Sequence, residues 1–351
     1  MISFYPGPSK IYDTIPQYLQ DACNIGILSE NHRSEAFVAV SKKCIETLKD
    51  KLRIPSDYAV FFASSATECW HIIANAYKST KGCHIYNGAF GEKWYQATVQ
   101  IKGVQNIYEY DKEREIDVAK IPKDAEIICL THNETSNGTA IAHHVIHEIR
   151  TTFQQSLIVV DATSSLGGID LKIQDADIWF ASVQKCFGLP AGLGLLICSR
   201  EAINKACVLG DRSAYNSLLN LEEKMTIWQT PYTPNVLAIY LLSRVLDQVP
   251  FISEVNAVLK ERAIQYYDYF ENAKEIELLI KNKKVRSETV IALESTVDTV
   301  ADVKLKARQS NLIVGNGYGK LAKTTFRIAN FPAILPEEIA QLKKFLKAYI
   351  E

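Results

Sequence analysis

The sequence predicts an α/β protein built on a mostly parallel β-sheet. Three observations carry that class. Short apolar runs, among them Tyr58-Ala59-Val60-Phe61-Phe62, Ile127-Ile128-Cys129-Leu130 and Leu157-Ile158-Val159-Val160, alternate with helical patterns from about residue 58 to about residue 200. That alternation is the pattern of βαβ units. The runs read as strands buried on both faces, as parallel strands are. Polar segments then follow the carboxyl ends of the runs, where open α/β sheets bind their ligands.

The chain in order supports each element. Phe4-Tyr5-Pro6-Gly7-Pro8-Ser9 is an extended, turn-rich opening, followed by a helical stretch from Pro16 to about Cys23. Ser34 is placed to cap an amphipathic helix that runs through Leu52, with Phe37, Val40, Cys44 and Leu48 on its inner face. The strand ending at Phe62 runs into Ser64-Ser65-Ala66-Thr67-Glu68 and a helix from Cys69 to Tyr77. Small polar residues at a helix start suit a phosphate, although Ser65 and Glu68 also form a capping-box pattern. His84-Ile85-Tyr86 is a short strand before Asn87-Gly88-Ala89-Phe90-Gly91-Glu92-Lys93-Trp94. The strand at 127–130 ends in Thr131-His132-Asn133-Glu134-Thr135-Ser136-Asn137-Gly138-Thr139. His143 and His147 stand one helical turn apart, but no third metal ligand is spaced to join them. Gln229-Thr230-Pro231-Tyr232-Thr233-Pro234-Asn235 is a proline-rich turn before a helix at Val236–Leu246. Strand patterns at Val290–Leu293, Ile313-Val314 and Thr324–Phe331 precede a terminal helix that starts at Pro336.

With 351 residues there is room for one large and one smaller domain. The expected division is an N-terminal arm over 1–15, a large domain over 16–248 and a small C-terminal α+β domain over 249–351. The domain crossing is the long amphipathic helix from Phe251 to about Ala273. A net charge of −1 implies no attraction to nucleic acid or to a membrane surface. No apolar run approaches the roughly 20 residues that span a bilayer, and Met1–Lys10 lacks the pattern of a secretory signal. The eight cysteines are scattered without a C-x-x-C pair and read as reduced core residues of a cytoplasmic protein.

Two charged residues stand where burial makes them costly. Lys185 follows the apolar run Ala176-Asp177-Ile178-Trp179-Phe180-Ala181 and precedes a glycine-rich apolar segment, Phe187 to Ile197. A desolvated lysine loses its proton more readily and attacks carbonyls; the bland alternative is a lysine that ends a strand. Asp161 ends the buried run at 157–160 and calls for a cationic partner. A protonated pyridine nitrogen is such a partner. Enzymes that use pyridoxal phosphate need both a Schiff-base lysine and an acid on the ring nitrogen.

Taken with these residues, the motifs at Phe4–Ser9, His32-Arg33, Asn87–Trp94, Thr131–Thr139, Gln184-Lys185, Gln229–Asn235 and Thr324–Phe331 resemble the class V aminotransferases of pyridoxal-phosphate fold type I over nearly the full length. The resemblance implies a large domain with a seven-stranded-type, mostly parallel sheet, and pyridoxal 5′-phosphate as cofactor. It implies that Lys185 carries the cofactor and moves the substrate α-proton, and that Asp161 holds the ring nitrogen. Cofactor contacts are implied for Ala66 and Thr67 at the phosphate, Phe90 on the ring face, Thr135, and Gln184. Thr230 is implied to reach the partner subunit's cofactor, so that a homodimer shares its active sites. Arg327, inside an apolar strand pattern, is implied to hold the substrate α-carboxylate as a bidentate fork. His32 and Arg33 are implied to reach across the dimer toward an anionic substrate.

Within the family, His32-Arg33 and the Gln184-Lys185 context look like the phosphoserine branch, which exchanges the amino group of L-glutamate with 3-phosphohydroxypyruvate. That branch places a His-Arg pair shortly before the carboxylate arginine. Here the position reads Lys320-Leu321, with Lys320 or Lys323 as substitutes. Gly317-Tyr318-Gly319-Lys320-Leu321 looks more like the alanine–glyoxylate and serine–pyruvate branch. A cysteine desulfurase or kynurenine-cleaving activity is a further alternative, opposed by Phe90 at the stacking position. A non-catalytic scaffold is the last, opposed by the joint presence of Lys185, Asp161 and Arg327.

Overall fold

The computed structural model describes residues 1–349. Its strands in chain order are β1 (Ile2–Phe4), β2 (Ala59–Ala63), β3 (Gly82–Tyr86), β4 (Asn106–Glu109), β5 (Ile127–Thr131), β6 (Asn133–Glu134) and β7 (Thr139–Ala140). They continue with β8 (Leu157–Asp161), β9 (Ile178–Ser182), β10 (Gly194–Cys198), β11 (Glu277–Leu278), β12 (Val290–Glu294), β13 (Leu312–Asn316) and β14 (Thr325–Ala329).

Seven strands form one sheet in the order β2-β10-β9-β8-β5-β3-β4. Only β10 runs against its neighbours β2 and β9; the other pairings are parallel. Every residue of β3, β5, β8, β9 and β10 is buried, which is why these strands read as unbroken apolar runs rather than alternating ones. The exposed edge strand β4, Asn106-Ile107-Tyr108-Glu109, lacks that signature and escaped the sequence reading. The register aligns the carboxyl ends: Thr131 of β5 lies beside Asp161 of β8, and Asp161 beside Phe180 of β9. The sheet thus delivers Thr131, Asp161 and Ser182 to one edge.

A second sheet has the order β1-β13-β14-β12-β11. It packs around its own apolar cluster, which includes Phe4, Phe270, Val290, Phe326 and Phe331. The extended opening of the chain supplies the edge strand: Ile2, Ser3 and Phe4 pair in parallel with Leu312, Ile313 and Val314. A short strand so far from its partner in sequence carries no local mark of that pairing.

Helices Val236–Gln248 and Ile252–Glu271 meet at an angle of 82° around Pro250, where a proline interrupts the helical hydrogen bonding. No single helix among the described residues is long and apolar enough to cross a membrane.

Candidate active site

Lys185 sits in the turn that follows β9. Its carbonyl accepts from Gly188 N at 2.9 Å. The opening segment docks on the same turn, with Ser9 N and Ser9 Oγ both donating to the Gln184 carbonyl, at 3.0 and 3.1 Å. Tyr5, Pro6, Gly7 and Pro8 thereby cover Lys185 and line one cavity with it. Gly7 has φ +143°, and a Cβ there would lie 2.9 Å from Lys185 Cε. Gly7→Ala is therefore expected to strain the backbone by about 1–2 kcal/mol and to displace the lysine, lowering kcat roughly 10- to 100-fold. Steady-state kinetics beside a melting curve separates the two effects; an unchanged kcat removes the arm from the site.

The Lys185 amine is 5.3 Å from the centre of the Phe90 ring. It donates to Thr135 Oγ1 at 2.9 Å and to Ser164 Oγ at 2.7 Å. Those two hydroxyls also bond to each other. Burial lowers the Lys185 pKa to about 8, against the opposing pull of the Asp161 carboxylate. Asp161, 5% exposed, accepts from Thr163 N at 2.9 Å and from Trp70 Nε1 at 3.3 Å. Burial raises its pKa, and the bonds from Thr163, the Lys185 charge and the bond from Trp70 restrain that rise.

Arg327 lies in the middle of β14, between Ala292 and Gly315 on the flanking strands. Only 4% of it is exposed, and burial lowers its pKa. It donates from Nε to the Asn316 carbonyl and from Nη1 to the Thr135 carbonyl, both at 2.7 Å. No carboxylate lies within salt-bridge range of it among the described residues. No structural ion pair among the described residues therefore neutralises this buried cation, whose bonds are to two backbone carbonyls.

Lys185, Asp161, Arg327, Ala66, Thr67, Phe90, Thr135 and Gln184 all line one cavity of about 470 Å³. Helix Ala66–Ala76 opens onto it, capped by Ser65 Oγ, which accepts from Glu68 N at 3.1 Å. The helix begins at Ala66, ahead of the expected Cys69, because Ser65 is the capping residue. The capping box is only half formed: the Glu68 carboxylate accepts from Ser64 N at 2.6 Å rather than from the cap residue itself. Ala66 N donates to Ser182 Oγ at 2.7 Å. Phe90 belongs to the first turn of helix Ala89–Lys102. Buried Glu134 anchors that turn by accepting from Phe90 N and Gly91 N, both at 3.1 Å.

His32, Arg33 and Thr230 do not line this cavity. They gather elsewhere on the chain, where Arg33 Nη1 donates to Gln229 Oε1 at 2.7 Å and His32 Nδ1 lies 3.4 Å from Thr233 Oγ1. Thr230 Oγ1 donates to the Tyr232 carbonyl at 2.6 Å. His143 and His147 both turn toward Asp175, at 3.5 and 3.2 Å, and no cluster fit for a metal occurs among the described residues.

Several lining residues were not singled out from the sequence: Trp70, Lys93, Thr163, Ser164, Ser182 and Tyr318. Ser182, at the end of β9, follows the rule that strand ends face the ligand. The neutral Trp70 and Tyr318 had no such signal.

The donor set fits pyridoxal 5′-phosphate. A depressed amine and a buried acid share one chamber, and a helix N-terminus opens onto it. Thr131 Oγ1, Thr163 Oγ1 and Asn133 Nδ2 are buried in its lining without hydrogen-bond partners, as expected where a polar ligand completes a site.

Comparison with known proteins agrees. Residues 6–324 match the family described as "Aminotransferase class-V". A crystal structure of a phosphoserine aminotransferase from Cytophaga hutchinsonii superposes with a TM-score of 0.94 at 35% identity, covering 100% of this chain and 99% of that one. The phosphoserine aminotransferase of Rhodococcus opacus (strain B4) is 26% identical over 96% of this chain and 92% of its own length. An alanine–glyoxylate aminotransferase from Nostoc sp. has a TM-score of 0.84 at 20% identity, covering 100% of this chain and 95% of that one; at that distance the likeness shows the fold alone. The chain belongs to the class V aminotransferase family, and is a transaminase that works with pyridoxal 5′-phosphate.

Proposed function

We propose that the chain is a phosphoserine aminotransferase, exchanging the amino group between L-glutamate and 3-phosphohydroxypyruvate to give 2-oxoglutarate and O-phospho-L-serine. The observation that carries this reading is the 35% identity to the Cytophaga hutchinsonii phosphoserine aminotransferase over the whole chain.

The geometry supports the following residue roles. The bound cofactor supplies an electron sink for the substrate α-carbon. Asp161 holds a proton on the ring nitrogen, Phe90 covers a ring face, and the first turn of helix Ala66–Ala76, with Ala66 and Thr67, receives the phosphate. Gln184 borders it. Lys185 Nζ, with its pKa near 8, takes the proton from the substrate Cα and returns it as a general acid. Thr135 and Ser164 aim that amine, and Thr135 also ties its backbone carbonyl to Arg327. Arg327 receives the α-carboxylate on the N–H edge left by those bonds.

His32, Arg33 and Thr230 serve the partner subunit's site in a homodimer, which accounts for their clustering away from the cavity of their own chain. We assign residues 16–248 to the large domain and, of the expected 249–351, the described residues 249–349 to the small one. Eight unpaired cysteines, six of them buried, suit the reducing cytoplasm.

The Lys320-Leu321 sequence keeps the alanine–glyoxylate reading in play, and a half-reaction assay decides between the two. Phosphoserine and glutamate are each expected to convert the loaded enzyme to its amino form, with alanine and serine slower by at least about 100-fold. Preference for alanine or serine overturns the phosphoserine reading.

A further inference from the structure

Phosphoserine carries two anionic groups, and the cavity contains three cations: Lys185, Arg327 and Lys93. Lys185 is committed to the amino group and Arg327 to the α-carboxylate. We propose that Lys93 binds the second anionic group of the substrate, the side-chain phosphate, in the role that the residues before Arg327 do not fill. This assignment rests on the phosphoserine reading.

Lys320 and Lys323 do not line the cavity. Leu321 packs against the small apolar cluster of Leu279, Ile280, Val285 and Ala292. Lys320, in the short helical turn Gly319–Leu321, is exposed. Burying the leucine sets the course of this segment and leaves its charge outside.

Lys93 is differently placed. It lies one helical turn after Phe90 and therefore on the same face of helix Ala89–Lys102. The buried Glu134 fixes that turn through Phe90 N and Gly91 N, so the start of the helix that carries Lys93 is held against the cavity wall. The Lys93 amine donates to Tyr318 Oη and stands 5.0 Å from the Tyr318 ring centre. The Arg327 guanidinium stands 5.7 Å from the centre of the same ring, and Phe90 packs on it at 5.1 Å. Tyr318 is thus a spacer between two cations. No carboxylate lies within salt-bridge range of Lys93 among the described residues. Two such charges flanking one aromatic ring suit a small substrate with an anion at each end. A doubly charged phosphate gains most from an ammonium that no carboxylate has neutralised.

The test uses the cofactor-loaded enzyme and the ratio of kcat/KM for O-phospho-L-serine to kcat/KM for L-alanine. Lys93→Gln is expected to lower that ratio roughly 10- to 100-fold, mostly through KM for phosphoserine, with Lys93→Arg recovering much of the loss. 3-Phosphoglycerate has a carboxylate and a phosphate but no amino or oxo group to react. Its calorimetric Kd is expected to weaken in Lys93→Gln by a similar factor. Lys320→Gln and Lys323→Gln serve as controls and should leave the ratio within about 2-fold. An unchanged ratio in Lys93→Gln, an equal loss on both donors, or a larger loss in either control overturns the assignment of Lys93. A parent enzyme that does not turn over phosphoserine overturns the phosphoserine reading, and the Lys93 assignment with it; an active parent with an indifferent Lys93→Gln overturns the assignment alone.

Discussion

Lys185→Ala is expected to lower the transamination rate by at least about 10⁴-fold, because in the proposed mechanism one side chain both attaches the cofactor and moves the substrate proton. The surroundings of the amine leave no substitute. Thr135 and Ser164, its two hydrogen-bond partners, are hydroxyls that do not ionise near neutral pH, and Lys93 lies beyond Phe90, bonded to Tyr318. The loss should belong to chemistry rather than folding: the lysine interior contributes little packing that alanine and a few waters do not replace, so the melting temperature should stay within a few degrees of the parent. The pH dependence is a second arm of the same prediction. Burial lowers the Lys185 pKa to about 8, whereas an ordinary lysine titrates near 10.4. In cofactor-free protein the neutral, nucleophilic amine is the minor form below pH 8 and the major form above it. Modification of Lys185 by an amine-selective reagent, followed by peptide mapping, should accelerate through pH 8 and level off well before exposed lysines do. A variant that transaminates at the parent rate, or a Lys185 that reacts with the pH profile of a surface lysine, contradicts the assignment.

Electrostatic cost is what makes the site legible in the sequence. Lys185, Asp161 and Arg327 are charged residues within or at the ends of apolar runs, and burying a charge demands a partner. Each therefore advertised a ligand, and all three line a single cavity. The seven-stranded sheet was legible for a related reason: strands buried on both faces, such as 157–161, cannot alternate with polar residues. Residues whose importance comes only from tertiary contact were not legible. Tyr318 and Trp70 are neutral, so their sequence neighbourhoods show no unpaid cost. Glu134 anchors the helix carrying Phe90 and Lys93 through amides more than 40 residues away in the chain, which its own neighbours in sequence do not reveal. The docking of Gly7 over Lys185 and the pairing of residues 2–4 with β13 likewise exist only once the chain has closed on itself. The family resemblance sends His32, Arg33 and Thr230 toward a partner subunit. Within one chain they form a cluster of their own, an arrangement that no local pattern in the sequence specifies.

Asp161→Asn is expected to lower kcat by roughly 10²- to 10³-fold while the enzyme stays folded. The substitution keeps size and shape and removes one charge from the carboxyl edge of the sheet. In the parent, both carboxylate oxygens accept: Oδ1 from Thr163 N and Oδ2 from Trp70 Nε1. An amide offers one acceptor oxygen and an NH₂ group, so one of these two donors must face another donor. The side chain then either turns or gives up one bond, at a cost of about 1–3 kcal/mol in a buried site. The electrical effect is larger. Burial already raises the Asp161 pKa, and the bonds from Thr163 together with the Lys185 charge oppose that rise. In the proposed role, a cation placed against the carboxylate would oppose that rise further, so that the loaded site would keep the ionised form and that anion would retain the proton of a nearby ring nitrogen. Asparagine has no charge with which to do so. Lys185 also loses an attractive partner, so its pKa should fall below about 8; the pH at which the amine becomes reactive should move down with it. Asp161→Glu keeps the charge and lengthens the reach, and is expected to recover part of kcat if charge is what matters. Comparing kcat for Asp161→Asn and Asp161→Glu with the Lys185 modification profile separates charge from shape. Parent-like turnover in Asp161→Asn, or a Lys185 profile that does not move, would mean that the acid and the amine do not act on one ligand.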